Sequence, residues 1–310
     1  MADAIEVRKL TKVYGELTAV GGIDFTVRMG EVFAFLGPNG AGKTTTTEIL
    51  EGLRSRTSGD VRVLGLDPWS EGRKLHPLIG VIPQEFKFVE KITPTEAIRY
   101  YGALFHTIPN PKELLDQVEL ADKANARFDT LSGGQKQKLG LALALVSDPK
   151  VCFLDEPTTG LDPQARRAIW SVIRALKAQG RTVFLTTHYL EEAELLSDHV
   201  AIINHGAIIA EGTAEAIIEK HGGPERLTIE APSSLAEHLK RTVNLPVTTA
   251  NGRVEVVMHD KGDALRVLSA VEASGIPWKG FGTKTDTLED VFVHLVGKMD
   301  EGEVRAGATP

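Results

Sequence analysis

The sequence predicts an α/β core built on a phosphate-binding loop, with an antiparallel β flank and an inserted helical subdomain, followed by a small ferredoxin-like α+β domain. Three observations carry this reading. The run VFAFLGPNGAGKTTTTEILEG, Val32 to Gly52, passes from apolar strand to Gly-rich turn to helix. Val151 to Leu154 and Arg181 to Thr187 are further apolar runs of the kind that parallel strands show when both faces are buried. Beyond His221-Gly222-Gly223-Pro224 the pattern reads β-α-β-β-α-β. At 310 residues the chain exceeds one average domain. We therefore expect a first domain over 1–221, with its helical subdomain at about 85–150, a second over 225–298, and a polar, disordered tail over 299–310.

In chain order, Ala4 to Leu10 and Ile23 to Arg28 alternate as half-buried strands, with GELTAVGG as a turn-rich connector. Glu31 to Leu36 is the core strand that feeds the loop. After the loop's helix, SRTSGDVRVLGLDP gives a turn and strand, and Leu78 to Ile82 a short buried strand ended by Pro83-Gln84. From Thr93 the pattern turns helical: Pro94 opens one helix, Asn110-Pro111 a second, and the third runs from about Gly134 to Ser147. Asp162-Pro163 starts an amphipathic helix that Gly180 ends. Tyr189 to Ser197 is a helix, and a hairpin turned at His205-Gly206 closes the first domain. In the second, strands flank Asn251-Gly252, helices cover Gly262 to Ala273 and Thr287 to Val296, and Pro277 to Thr283 is a strand.

Composition narrows the class. Hydrophobic residues make up 42% of the chain, enough for a sizeable core, and a net charge of −7 gives no reason to expect nucleic acid as a partner. Cys152 is the one cysteine and lies in an apolar run, so it reads as a core residue in a reducing compartment. The acidic start is unlike a signal peptide, and no apolar segment reaches about 18 residues, the length needed to span a bilayer.

The chemistry concentrates in a few places. Gly37-Pro38-Asn39-Gly40-Ala41-Gly42-Lys43-Thr44 fits G-x-x-x-x-G-K-[ST], in which backbone amides cradle phosphate, the lysine reaches the β- and γ-phosphates and the hydroxyl ligates Mg²⁺. Ser132-Gly133-Gly134-Gln135 stands before a helix, where it is either a second anion site of exposed amides or a plain helix cap with a Gly turn. Asp155 and Glu156 end an apolar strand: Asp155 is placed to hold Mg²⁺ opposite Thr44, and Glu156 to polarise an attacking water. Gln84 and His188 each follow a core strand, at the edge where ligands of α/β sheets collect. Tyr14 is open between stacking on a base and ordinary packing.

Taken together, GPNGAGKTT, Gln84, LSGGQ, VCFLDEP, GLDP and His188 in this order resemble the nucleotide-binding domain of ATP-binding cassette (ABC) proteins over about Ala4 to Gly212. The resemblance implies a RecA-like P-loop ATPase core that binds ATP and Mg²⁺. Gly37 to Thr45 match Walker A, with Thr45 included, Asp155 ends Walker B and Glu156 matches the catalytic base. Gln84 matches the Q-loop glutamine, a further Mg²⁺ ligand; Asp162 matches the D-loop, His188 the switch histidine and Tyr14 the adenine-stacking aromatic. Two copies would pack head to tail, each ATP lying between one P-loop and the partner's Ser132 to Gly134. One departure is Ala142-Leu143-Ala144-Leu145, where relatives often carry an arginine.

Thr287-Leu288-Glu289-Asp290-Val291-Phe292 resembles the ending of stand-alone exporter ATPases of the daunorubicin-resistance type, which power drug, antibiotic or polysaccharide efflux. That implies a homodimer peripheral to the cytoplasmic face of the membrane, beneath a separately encoded permease. The alternative is a soluble ABC ATPase of macromolecular assembly or translation. Against it stand the single cassette in this chain and the roughly 90 residues between Thr44 and Leu131, too few for a long coiled coil.

Overall fold

A computed structural model describes residues 3–84, 86–250 and 252–306. The chain divides after Ala214 into two compact units.

The first unit opens with β1 (Asp3–Tyr14) and β2 (Leu17–Arg28), then β3 (Val32–Leu36), α1 (Lys43–Leu50) and β4 (Ser58–Val63). Next come α2 (Gly72–Leu75), β5 (Ile79–Ile82), α3 (Pro94–Leu104), α4 (Pro111–Gln117) and α5 (Gly133–Ala144). The unit continues with β6 (Val151–Asp155), α6 (Pro163–Ala178), β7 (Thr182–Thr187), α7 (Leu190–Leu196), β8 (His199–Asn204) and β9 (Ala207–Gly212).

A six-stranded sheet in the order β5-β6-β7-β3-β8-β9 forms the centre, parallel except for β9. Every residue of β3, β6 and β7 is buried, as continuous apolar strands covered on both faces must be. The register pairs Ile82 with Leu154, Asp155 with Thr186 and Leu36 with Thr187, so the segments leaving β5, β6, β7 and β3 emerge along one edge. That edge is where Gln84, Glu156, His188 and Gly37 stand.

The β flank is a separate antiparallel sheet, β2-β1-β4. Here the structure corrects the expected connector: GELTAVGG is mostly strand, because only Gly15 and Glu16 turn and Leu17 already pairs with Tyr14. Gly15 at φ 57° makes this two-residue reversal cheap, while Thr18 and Val20 are β-branched and suit the extended chain. Phe25 from the flank lies among Phe33, Phe35 and Phe184 of the main sheet at centroid distances of 5.5 to 6.1 Å, fixing one sheet on the other.

α3, α4 and α5 form the inserted helical layer. Thr93 and Glu96 close a reciprocal capping box at α3, and Asn110 caps α4 with Pro111 at its first position.

The second unit begins within α8 (Ala214–His221), a helix absent from the sequence expectation, which broke the chain at His221 to Pro224 instead. It continues with β10 (Arg226–Glu230), α9 (Ser233–Thr242), β11 (Val247–Ala250), β12 (Arg253–Val257), α10 (Lys261–Ser274), β13 (Gly280–Lys284) and α11 (Leu288–Ala306). Its sheet is antiparallel in the order β11-β12-β10-β13, over a core that includes Leu227, Ile229, Leu235, Leu239 and Val254. Asn251 of the turn between β11 and β12 lies outside the described residues. α11 runs through most of the stretch expected to be disordered; residues 307–310 lie outside the described residues. The helix starts on a capping box, Asp290 N donating to Thr287 Oγ1 at 3.2 Å and Thr287 N to Asp290 Oδ2 at 2.9 Å.

Candidate active site

The loop after β3 wraps because two of its glycines cannot be replaced. A Cβ on Gly37 would meet the Ile203 carbonyl oxygen at 2.4 Å, and one on Gly42 would meet the Ala19 carbonyl oxygen at 2.5 Å. Gly42 also sits at φ 107°, left-handed backbone that side chains avoid. α1 starts at Lys43, so its free amides and dipole point into the loop. Lys43 is buried, and its ammonium donates to the carbonyls of Gly37 (2.8 Å) and Pro38 (3.1 Å).

At 3.3 Å from that ammonium lies Glu156 Oε1. The other carboxylate oxygen, Oε2, accepts from Gln84 Nε2 at 3.3 Å and Thr159 Oγ1 at 3.1 Å, and lies 3.0 Å from His188 Nδ1. Four strand ends thus converge on one buried carboxylate. Glu156 takes φ 47°, a left-handed conformation that costs a non-glycine residue about 1–2 kcal/mol. Its amide is held there by donating to the Thr186 carbonyl (3.1 Å) and the Thr186 hydroxyl oxygen (3.0 Å). The same hydroxyl donates to Asp155 Oδ1. Burial pushes the Asp155 pKa up, Glu156 beside it adds to that, and the Thr186 bond works against both. Thr159 and Thr186 were not picked out from sequence; FLTTH and DEPTT carried the signal, hydroxyls flanking the acidic and histidine strand tips.

Tyr14, Leu17, Asn39, Lys43, Gln84 and Glu156 border a cleft of about 440 Å³ together with Gly40, Gly42, Thr44 and Thr45. Tyr14 is 38% exposed, with Lys12 Nζ 4.9 Å and the Arg54 guanidinium carbon 5.4 Å from its ring centroid. It is an aromatic surface at the cleft, which favours the stacking alternative over interior packing.

Ser132, Gly134, Gln135 and Asp162 do not join this cleft. They border another, of about 360 Å³, and share no lining residue with the first. Ser132 caps α5 by accepting from Gln135 N (3.3 Å), while its own amide donates to Gln135 Oε1 (3.0 Å). A Cβ on Gly134 would meet Ala165 Cβ at 2.8 Å, so glycine is what lets α5 approach α6. Asp162 caps α6, accepting from Gln164 N and Ala165 N at 2.9 Å each. Cys152 is buried in β6, its thiol pushed up to about 12 by desolvation, which makes it inert as a nucleophile.

A phosphate loop whose lysine faces a strand-tip glutamate, itself bonded to a histidine from the next strand, is the arrangement of a cassette-type P-loop ATPase. A profile described as ABC transporter matches residues 20–159. The Nod factor export ATP-binding protein I of Rhizobium sp. (strain N33) is 37% identical over 314 residues, covering 96% of this chain and 98% of that one. The daunorubicin resistance ATP-binding protein DrrA3 of Streptomyces coeruleorubidus is 35% identical over 319 residues, covering 99% and 100%. Among solved structures, the ADP conformation of MJ1267, an ATP-binding cassette of an ABC transporter, superposes with a TM-score of 0.64 at 26% identity, over 71% of this chain and 95% of that one. MJ0796, a dimeric cassette in a post-hydrolysis state bound to ADP and Pi, gives 0.60 at 25% identity, over 67% and 98%. The chain belongs to the ABC transporter family of ATP-binding proteins.

Proposed function

We propose that the chain is the ATP-hydrolysing subunit of an ABC exporter, working as a head-to-tail homodimer on a separately encoded permease at the cytoplasmic face of the membrane. The observation that carries this is the convergence of Lys43, Gln84 and His188 on Glu156, in a chain similar along nearly its whole length to ATP-binding subunits named for export. No helix among the described residues is long and apolar enough to cross a membrane, which fits a subunit whose membrane path lies in a partner.

In this reading ATP lays its base on Tyr14 and its phosphates on the amides from Gly37 to Thr45. Lys43 exchanges the Gly37 and Pro38 carbonyls and the Glu156 carboxylate for phosphate oxygens. Glu156, released from the lysine, accepts a proton from the water that attacks in line with the γ-phosphate. His188 holds that carboxylate and contacts the transferring group, and Lys43 offsets the charge that develops there. The donors for Mg²⁺ would be the Thr44 hydroxyl, Gln84 and Asp155, an oxygen set that suits this ion; the buried Asp155 carboxylate, with a hydroxyl as its hydrogen-bond donor, gains from a nearby cation. Bound there, Mg²⁺ supplies neutralisation of β- and γ-phosphate charge.

The cleft with Ser132 and Asp162 is separate from the P-loop cleft, which supports a partner chain as the source of a second set of phosphate contacts, through the α5 N-terminus. ATP then favours the closed dimer and hydrolysis removes that preference, which is how binding energy becomes movement of the permease.

The test compares the ATPase rate of the full chain with Glu156→Gln, each also run by size-exclusion chromatography in ATP and Mg²⁺. Wild type should hydrolyse; the variant should lose hydrolysis by a factor on the order of 10² and accumulate as an ATP-bound dimer, since binding survives the loss of the base. A variant that hydrolyses as fast as wild type removes Glu156 from the role. Stimulation of the ATPase by a co-expressed permease supports export, and activity indifferent to any membrane partner supports a soluble ABC ATPase instead.

A further inference from the structure

Helix α7 contains an acid that the proposed chemistry does not use. Glu192 is fully buried, on the helix that starts two residues after His188. Its Oε1 accepts from Thr158 Oγ1 at 3.0 Å and from Trp170 Nε1 at 2.9 Å. Oε2 is buried with no hydrogen-bond partner among the described residues. Burying a carboxylate in such a place costs free energy, which the bonds to its other oxygen must offset.

What the two bonds join is specific. Thr158, itself fully buried, lies two residues after Glu156 and at the head of the turn to Asp162; its carbonyl accepts from Leu161 N at 3.2 Å. Trp170 stands on α6, the helix that Asp162 caps. At the same junction, the Arg166 guanidinium carbon of α6 lies 4.3 Å from the ring centroid of Tyr189, whose ring is tilted against His188 at 4.2 Å between centroids. One oxygen therefore ties three segments: the loop carrying Glu156 and Asp162, the helix Asp162 caps, and the helix that follows His188.

We propose that Glu192 is a positioning residue for hydrolysis, locking the Glu156 to Asp162 loop to the helix behind His188 so that the histidine stays in register with the carboxylate it contacts. The link also passes between the two clefts, because Glu156 borders the P-loop cleft and Asp162 the one that contains Ser132. Burial raises the pKa of Glu192, while hydrogen bonds from Thr187, Trp170 and Thr158 and the charge of Arg166 work against it. The inference rests on the ATPase reading of the site.

The experiment measures kcat, the Kd for a fluorescent ATP analogue and the melting midpoint for full-length wild type, Glu192→Ala, Glu192→Gln, Thr158→Val and the Thr158→Val/Glu192→Ala double variant. Glu192→Ala should lower kcat by about ten-fold with Kd within about two-fold, the pattern of a lost transition-state contribution. Glu192→Gln, whose amide oxygen can take both bonds, should restore kcat to within about two-fold of wild type. Thr158→Val, nearly isosteric, should lower kcat by about three-fold and add little on top of Glu192→Ala, since residues in one network do not add. If Glu192→Ala fails to fold, Thr158→Val alone decides. Wild-type kcat in Thr158→Val, or kcat and melting midpoint falling while Kd rises across the set, overturns the proposal and leaves Glu192 as a core residue. Glu156→Gln alongside separates the two levels: its loss of hydrolysis supports the site reading whatever the Glu192 series gives.

Discussion

At the scale of single residues, Glu51 is a buried acid whose ionisation works against the fold. It stands at the C-terminal end of α1, 5% exposed, and its pKa is pushed up to about 8 from an ordinary 4.5, by burial first and then by Asp155 and Glu48. The folded pKa is the higher one, so this group's stability is fully present below about pH 4.5 and is lost as pH rises toward about 8. Each pH unit in that window weakens the fold by at most about 1.4 kcal/mol through this group. Glu51→Gln should therefore be nearly neutral near pH 5 and stabilising at pH 8, read by urea unfolding of wild type and variant at both. Equal differences at the two values would show that Glu51 ionises freely in the folded chain. The sequence did not disclose this acid, nor Glu192, because EILEG and LEEAE look like helix segments with solvated faces, and only tertiary packing decides which acid turns inward. Glu156 and His188 were legible because they stand at strand tips that the apolar runs before them mark, and Lys43 because it stands in the phosphate-loop pattern.

At the scale of elements, capping signals read well and strand pairing read less well. Asn110-Pro111, Asp162-Pro163 and Ser132 through Gln135 placed α4, α6 and α5 correctly, since a cap is a local hydrogen-bond problem solved within four residues. The extension of β1 and β2 toward each other was not visible: Gly21-Gly22 looks like a turn, yet Gly21 pairs with Thr11 and its amide also donates to the Gly206 carbonyl at 2.8 Å, contacts made across the chain. The α5 cap supports a prediction at this scale. Ser132→Ala removes one half of a reciprocal box and should cost about 1 kcal/mol of stability. Its own P-loop cleft shares no residue with the α5 terminus, so the Kd for ATP at micromolar chain should stay unchanged while turnover falls. Nucleotide titration, urea unfolding and an ATPase assay on one preparation check all three, and a matching loss of ATP affinity would place Ser132 at its own chain's phosphate instead.

At the scale of the whole molecule, the two separate clefts make the proposed sharing of a site between chains testable. If each ATP needs Lys43 from one copy and Ser132 from another, two defective chains can repair each other. Lys43→Ala spoils the phosphate loop and leaves the α5 terminus sound; Ser132→Arg does the reverse by putting a bulky cation on an exposed cap. Either variant alone gives dimers with two broken sites. Mixed in equal amounts, half of the dimers pair one of each, and in these one site combines both defects while the other combines both intact halves. Hydrolysis should then recover to about a quarter of the wild-type rate, on the assumption of random pairing and independent sites. Mixing Lys43→Ala with the double variant Lys43→Ala/Ser132→Arg should recover nothing, because no intact P-loop is present. Recovery in the first mixture and silence in the second requires that neighbouring chains share a site. Silence in both, with each variant folded and Ser132→Arg still binding ATP, means either that the site is completed within one chain or that both sites of a dimer must be intact to fire; a covalently linked pair with one site of each kind distinguishes these, since only cooperativity keeps it silent when a linked wild-type pair is active.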